Sequence, residues 1–120
     1  GFVNHYYLHR FIKEEGEDFK ARNYFLPGGG PGSLVMVAGA GILKTTSHRA
    51  NVEQLLRFLL SHDAQQYFAS ETFEYPLIEG VLTPDELTPL TELNNIAIDL
   101  ARLADLQGTV VLLSKVGVLP

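Results

Sequence analysis

The sequence predicts a helix-rich α/β chain with few strands. Apolar residues recur at helical spacing in several separate stretches, and one Val-rich apolar run broken by glycines has the character of a buried strand. No internal repeat or low-complexity tract points to an array.

Val3, Tyr7 and Phe11, with Leu8 and Ile12 beside them, fall on one helical stripe. Asn4 is placed to cap that helix and Gly16 to stop it. Glu14, Glu15, Glu17 and Asp18 follow at its C-terminal end, where the backbone dipole disfavours negative charge, so these carboxylates are expected in solvent. Residues 23–26 read as a short strand, and Pro27-Gly28-Gly29-Gly30-Pro31-Gly32 as a sharp break. The run 34–43, with Gly39 and Gly41 inside it, is too rich in small residues for a helix and suits a buried strand closely crossed by another backbone.

Farther along, Ser47 can cap a helix carrying Val52, Leu55, Leu56, Leu59 and Leu60. Asp63 with Gln66 has the capping-box pattern and opens a helix through Tyr67 and Phe68. Thr83-Pro84-Asp85-Glu86 is a third start signal, cut short by Pro89. The last helix is expected over 105–115, with Leu106, Val110 and Leu113 inward and Gly117 as its stop. One or two strands cannot complete a sheet, so their partners are expected from other sequence or from a second copy.

Composition narrows the function. With 46% apolar and 19% charged residues over 120 positions, the chain fits one globular domain or a piece of something larger. The net charge is −5 and the nine basic residues are scattered, which disfavours nucleic acid as a partner. No apolar run approaches the ~18 residues of a membrane span. The absence of cysteine excludes disulfides and thiolate metal sites. The opening Gly1-Phe2-Val3, without initiator Met or signal peptide, is expected of a cut within a longer chain.

Chemistry concentrates in Asn4-His5-Tyr6-Tyr7. Neighbouring helical residues diverge by about 100°, yet two phenols in a first turn can converge beyond the helix end. A phenol ionises near pH 10 in isolation, so a phenolate at neutral pH needs strong electrostatic help. Ferric iron, hard and highly charged, supplies it, and the helix N-terminus adds a favourable partial charge. Packing is the competing account: Tyr7 shares its stripe with Val3 and Phe11, whereas Tyr6 lies off it.

His5 and His9, four apart, share a helical face that could hold zinc, but Tyr6 stands where a metalloprotease needs its glutamate. His48 and His62 read as surface residues. Gly39-Ala40-Gly41 lacks the third glycine of a dinucleotide loop, no Gly-Lys-Ser/Thr occurs, and the serines have no nucleophile-elbow context. The residues do not argue for an enzyme.

Several blocks, in order, resemble the periplasmic ferric-iron-binding proteins, the solute-capturing components of iron ABC transporters. They are Asn4-His5-Tyr6-Tyr7, Gly32-Ser33-Leu34-Val35 with Gly39-Ala40-Gly41-Ile42-Leu43-Lys44, Phe58-Leu59-Leu60-Ser61 with Gln65-Gln66-Tyr67-Phe68, and Glu71-Thr72-Phe73-Glu74-Tyr75-Pro76-Leu77. The ending, Asp99-Leu100 through Val116-Gly117-Val118-Leu119, is similar too. The resemblance implies a helix-rich C-terminal fragment of a type II periplasmic binding protein fold. Residues 1–33 would belong to the C-terminal lobe, 34–90 to the N-terminal lobe after a hinge crossing, and 91–120 to the return. It implies Tyr6 and Tyr7 as phenolate ligands of Fe3+ and Asn4 as a contact of a synergistic anion, phosphate or carbonate. The other iron ligands would lie upstream, so the isolated fragment would hold iron weakly if at all. His5 takes no ligand role, and Glu74 and Tyr75 are packing residues. The implied partner is an ABC permease and the implied location periplasmic, free or lipid-anchored; the unpaired sheet edge invites self-association of the fragment. The alternative keeps the type II fold but takes a small organic or anionic solute, such as a polyamine, thiamine or a phosphate ester, against the same tyrosines.

Overall fold

The first apolar stripe forms helix α1, Tyr6–Glu15, in a computed structural model that describes residues 1–27, 29–93, 96, 99, 101 and 104–119. Gly28 of the glycine-rich break and Leu100 of the closing block lie outside the described residues. Gly16 ends α1 at φ 95° and ψ 171°, a backbone conformation open essentially to glycine alone. The carboxylates of Glu14, Glu15, Glu17 and Asp18 are exposed, as the helix dipole requires.

Two further helices form a hairpin, α2 at Arg49–Leu59 and α3 at His62–Glu71, which pack against each other. Their starts differ from the caps expected. Helix α2 begins after His48, whose amide donates to Thr46 Oγ1 at 3.1 Å, so the hydroxyl one residue before Ser47 takes the local role. Helix α3 is capped by Ser61, which accepts from the Ala64 amide at 3.3 Å, and not by Asp63. Starting α3 two residues early leaves the two glutamines free for longer reach. Gln65, buried, donates to the Leu59 carbonyl and accepts from the Leu77 amide, each at 2.8 Å. Gln66 does the same with Leu82, at 2.9 and 3.0 Å. The two side-chain amides thus satisfy backbone groups at the end of α2 and in the loop after α3.

The last helix, α4 at Leu106–Lys115, follows the sequence reading closely at both ends. Asp105 caps it by accepting from the Gly108 amide at 2.8 Å. Gly117, at φ +76°, closes it with the paired bonds of a Schellman motif, Gly117 to Ser114 at 3.1 Å and Val118 to Leu113 at 2.9 Å. Of the three residues expected inward, however, Leu106 is 72% and Val110 39% exposed, and Leu113 is half-buried.

The expected strands and the third helix start are corrected. Among the described residues there is no strand; 23–26 and 34–43 run without regular structure apart from a 3₁₀ turn at Pro31–Ser33. Met36 and Leu43 are 71% and 75% exposed, and nothing lies within 4 Å of a Cβ placed on Gly39 or Gly41. A strand is defined by the neighbour that pairs its amides, and no such neighbour stands beside this run among the described residues. Thr83-Pro84-Asp85-Glu86 makes a single turn, closed by the Leu87 amide on the Pro84 carbonyl at 3.0 Å, because a helix needs several residues to repay nucleation and Pro89 withholds the next amide.

Burial is correspondingly sparse. Among the described residues, the buried apolar ones are Ala64, Ala69 and Leu87, joined by His9 and Gln65. The accessible surface is 9968 Å², against about 6,500 Å² for a compact monomer of this mass. The radius of gyration is 17.7 Å, against about 14 Å. The helix-rich character stands; a sheet does not form within the described residues.

Candidate functional site

Tyr6 and Tyr7 are the first two residues of α1, and their ring centroids lie 4.8 Å apart with planes at 61°. Neither ring is sealed in packing: Tyr6 is half-buried and Tyr7 is 40% exposed. Asn4 does not cap the helix as expected. Its Nδ2 donates to the Tyr6 hydroxyl at 2.8 Å, while its carbonyl accepts from the Tyr7 amide at 3.2 Å. All three candidate residues therefore meet at one helix start. The cap position itself falls to His5, which offers no side-chain bond to the first turn.

The Tyr6 phenol is raised above its ordinary value of 10.0, first by its interaction with the Tyr7 side chain, then by desolvation, with the Glu74 charge adding and Asn4 opposing. Without a cation the Tyr6 phenol stays neutral at neutral pH. A trivalent ion placed before its oxygen would reverse that balance, since a nearby positive charge favours the ionised form.

Around the pair, Tyr6 borders a cleft of about 390 Å³ that also takes in Arg10, Lys13, Glu71 and Glu74. Lys13 reaches Glu71 at 3.5 Å across an exposed gap, a contact worth little by itself. Glu74, read from sequence as packing alone, thus shares the space in front of Tyr6.

Both histidines near the pair are occupied by packing. His5 Nε2 lies 2.6 Å from the Phe73 carbonyl oxygen, so that nitrogen carries the proton and donates. The same ring rests 4.9 Å from that of Tyr75, and the His5 carbonyl accepts from Asn23 Nδ2 at 2.9 Å. His9 is buried and stacked on Phe73; desolvation first, then the charge of His5, lowers its pKa below 6.5, with Glu86 opposing. Among the described residues, no group of three or more His, Cys, Asp or Glu side chains comes together to hold a metal. His5 and His9 are thus parts of the joint between α1 and the loop after α3.

That joint brings together the two most specific sequence blocks, Asn4-His5-Tyr6-Tyr7 and Glu71-Thr72-Phe73-Glu74-Tyr75-Pro76. Thr72 turns the chain out of α3, its hydroxyl and amide both donating to the Phe68 carbonyl, at 2.7 and 3.2 Å. Phe73 then adopts φ +58°, left-handed backbone that costs a non-glycine residue about 1–2 kcal/mol. Tyr75, as expected, is structural: its hydroxyl donates to the Thr88 carbonyl at 2.5 Å.

No protein-family model matches the chain. Among curated proteins, the major ferric iron-binding protein of Neisseria meningitidis serogroup B is 28% identical over 116 residues, 96% of this chain and 35% of that protein. Iron uptake protein A1 of Synechocystis is 34% identical over 84 residues, 66% of the chain and 23% of that protein. The Fe(3+)-binding periplasmic protein of Serratia marcescens is 25% identical over 121 residues, 99% of the chain and 36% of that protein. The chain is a homologue of the bacterial ferric iron-binding proteins. It spans about a third of the length of the relatives that it matches over nearly its whole extent.

Sequence reasoning gave no role to two residues of the joint, Phe73 and Asn23. Nothing in the composition signals a left-handed aromatic at Phe73. Asn23 opens the stretch whose composition reads as a strand; its side-chain amide instead reaches back to the His5 carbonyl.

Proposed function

We propose that the protein containing this chain captures ferric iron outside the cytoplasm and passes it to an ABC permease, with Tyr6 and Tyr7 as phenolate ligands. It is a binding component and not an enzyme. One observation carries the reading: two accessible phenols, 4.8 Å apart between ring centroids, share the first turn of a helix in a chain homologous to iron-binding proteins. Hard anionic oxygen suits a hard trivalent cation, and the helix N-terminus favours the anionic form of both rings. Asn4, already bonded to the Tyr6 hydroxyl, is placed to touch a phosphate or carbonate that completes the coordination.

Two phenolates fill only part of an octahedral shell, so the remaining donors come from sequence outside these residues. A type II two-lobed fold provides them by closing a second lobe over the cleft. The Ile96 amide lies 3.4 Å from the Ser33 carbonyl, which supports a hinge where the chain leaves one lobe after residue 33 and returns beyond residue 90. The run 34–43, irregular here, would then find partners for its backbone amides in the rest of the two-lobed fold. Among the described residues no helix is long and apolar enough to cross a membrane, and the Serratia relative is named as periplasmic.

Ferric titration of the full-length protein tests this. A visible phenolate-to-iron charge-transfer band is expected, lost in Tyr6→Phe and Tyr7→Phe. A colourless protein that retains a bound organic solute through purification would replace iron with that solute.

A further inference from the structure

We propose that His5 is a positioning residue for the tyrosine pair, holding the first turn of α1 so that both phenols face one point. The proposal rests on the reading of Tyr6 and Tyr7 as iron ligands and assigns His5 no bond to the metal.

The start of α1 lacks the device that usually fixes a helix start. Its cap residue, His5, makes no side-chain bond to the amides of the first turn, and Asn4, the local candidate, is spent on the Tyr6 hydroxyl. Two long-range bonds do the fixing, both centred on His5. The Nε2 proton goes to the Phe73 carbonyl, 68 residues away, and the His5 carbonyl takes the Asn23 amide proton, 18 residues away. The imidazole also neighbours two aromatic rings, its centroid 4.9 Å from that of Tyr75 and 5.6 Å from that of Tyr6. Rotating the first turn would break both bonds and disturb these contacts.

The Phe73 end is equally constrained. Its left-handed backbone aims the carbonyl at His5, and its ring is held by stacking on His9. A carbonyl fixed on both sides is a stiff acceptor, so the direction of the His5 side chain, and with it the path of the backbone into Tyr6, is set by α3 and the loop after it. Groups that orient metal ligands in this way commonly govern affinity by about 10–100-fold without touching the ion.

The test uses the full-length protein loaded with ferric iron in the presence of phosphate, with citrate competition for affinity and the charge-transfer band for geometry. His5→Phe keeps the ring but removes the donor, whereas His5→Gln places an amide N–H at a similar reach. The expectation is a loss of about 10–100-fold in ferric affinity and a shifted, weaker band for His5→Phe, with His5→Gln restored to within about threefold of the parent. Should His5→Phe fail to fold, Asn23→Ala, which removes only the bond to the His5 carbonyl, carries the same expected direction. A coloured parent whose variants keep parental affinity and band overturns the positioning role alone, as does a His5→Gln protein no better than His5→Phe. A colourless parent overturns the tyrosine reading and this proposal together.

Discussion

The imidazole of His9 lies flat on the ring of Phe73, with centroids 4.4 Å apart and planes 13° from parallel. The contact joins the middle of α1 to the loop that leaves α3, and it gives the buried His9 ring a packing partner. It also explains how an aromatic residue persists in left-handed backbone: stacking and the His5 bond to its carbonyl together offset the conformational cost.

Substituting Phe73 should therefore separate backbone from side chain. Both Phe73→Ala and Phe73→Gly lose the stack, but only glycine adopts φ +58° without strain. Phe73→Gly is expected to be more stable than Phe73→Ala by about 1 kcal/mol, the reverse of the usual order in regular structure. Urea denaturation of the two variants decides it; equal midpoints would mean that the left-handed backbone is not retained.

The phenol pair makes a second prediction. Removing either hydroxyl takes away a ligand itself, so Tyr6→Phe and Tyr7→Phe should each weaken ferric binding by at least ~100-fold, the upper end of what outer groups contribute. Competition with citrate measures this, and retention of full affinity by either variant would remove that residue from the ligand set.

Gln65 predicts a stability effect independent of iron. Its side chain satisfies the Leu59 carbonyl and the Leu77 amide at 2.8 Å each in a buried setting. Gln65→Leu keeps the bulk but strands both groups, at a cost of about 1–3 kcal/mol for each left unsatisfied. Chemical denaturation should place the variant below the parent by that order; an unchanged midpoint would show that water replaces the amide at no cost.

Tyr75 predicts an alkaline effect. Burial raises its pKa above 10.0, so the folded state binds the phenol proton more tightly than the unfolded chain does. That contribution is complete below pH 10.0 and is lost as pH rises through the folded value. Tyr75→Phe should flatten this alkaline decline while losing about 1 kcal/mol at neutral pH with the bond to Thr88. Unfolding measured between neutral and strongly alkaline pH tests both parts.

Local chemistry made much of this chain legible from its residues. Helical spacing located α1, α2, α3 and α4, because a helix satisfies its backbone within its own length, but of the expected N-caps only Asp105 of α4 caps its helix, which Gly117 closes as expected. The two tyrosines, adjacent at a helix start, were likewise readable as a candidate site.

What only the tertiary structure decided involves partners distant in sequence. The run 34–43 has the composition of a strand, but pairing depends on a neighbour, and none stands beside it among the described residues. The anchoring of His5 to Phe73 and Asn23, and the turn of Asn4 toward Tyr6 instead of toward the helix amides, follow from side chains meeting in space. Periodicity encodes which face of a helix is apolar. It does not encode which remote carbonyl will be waiting for its hydrogen bond.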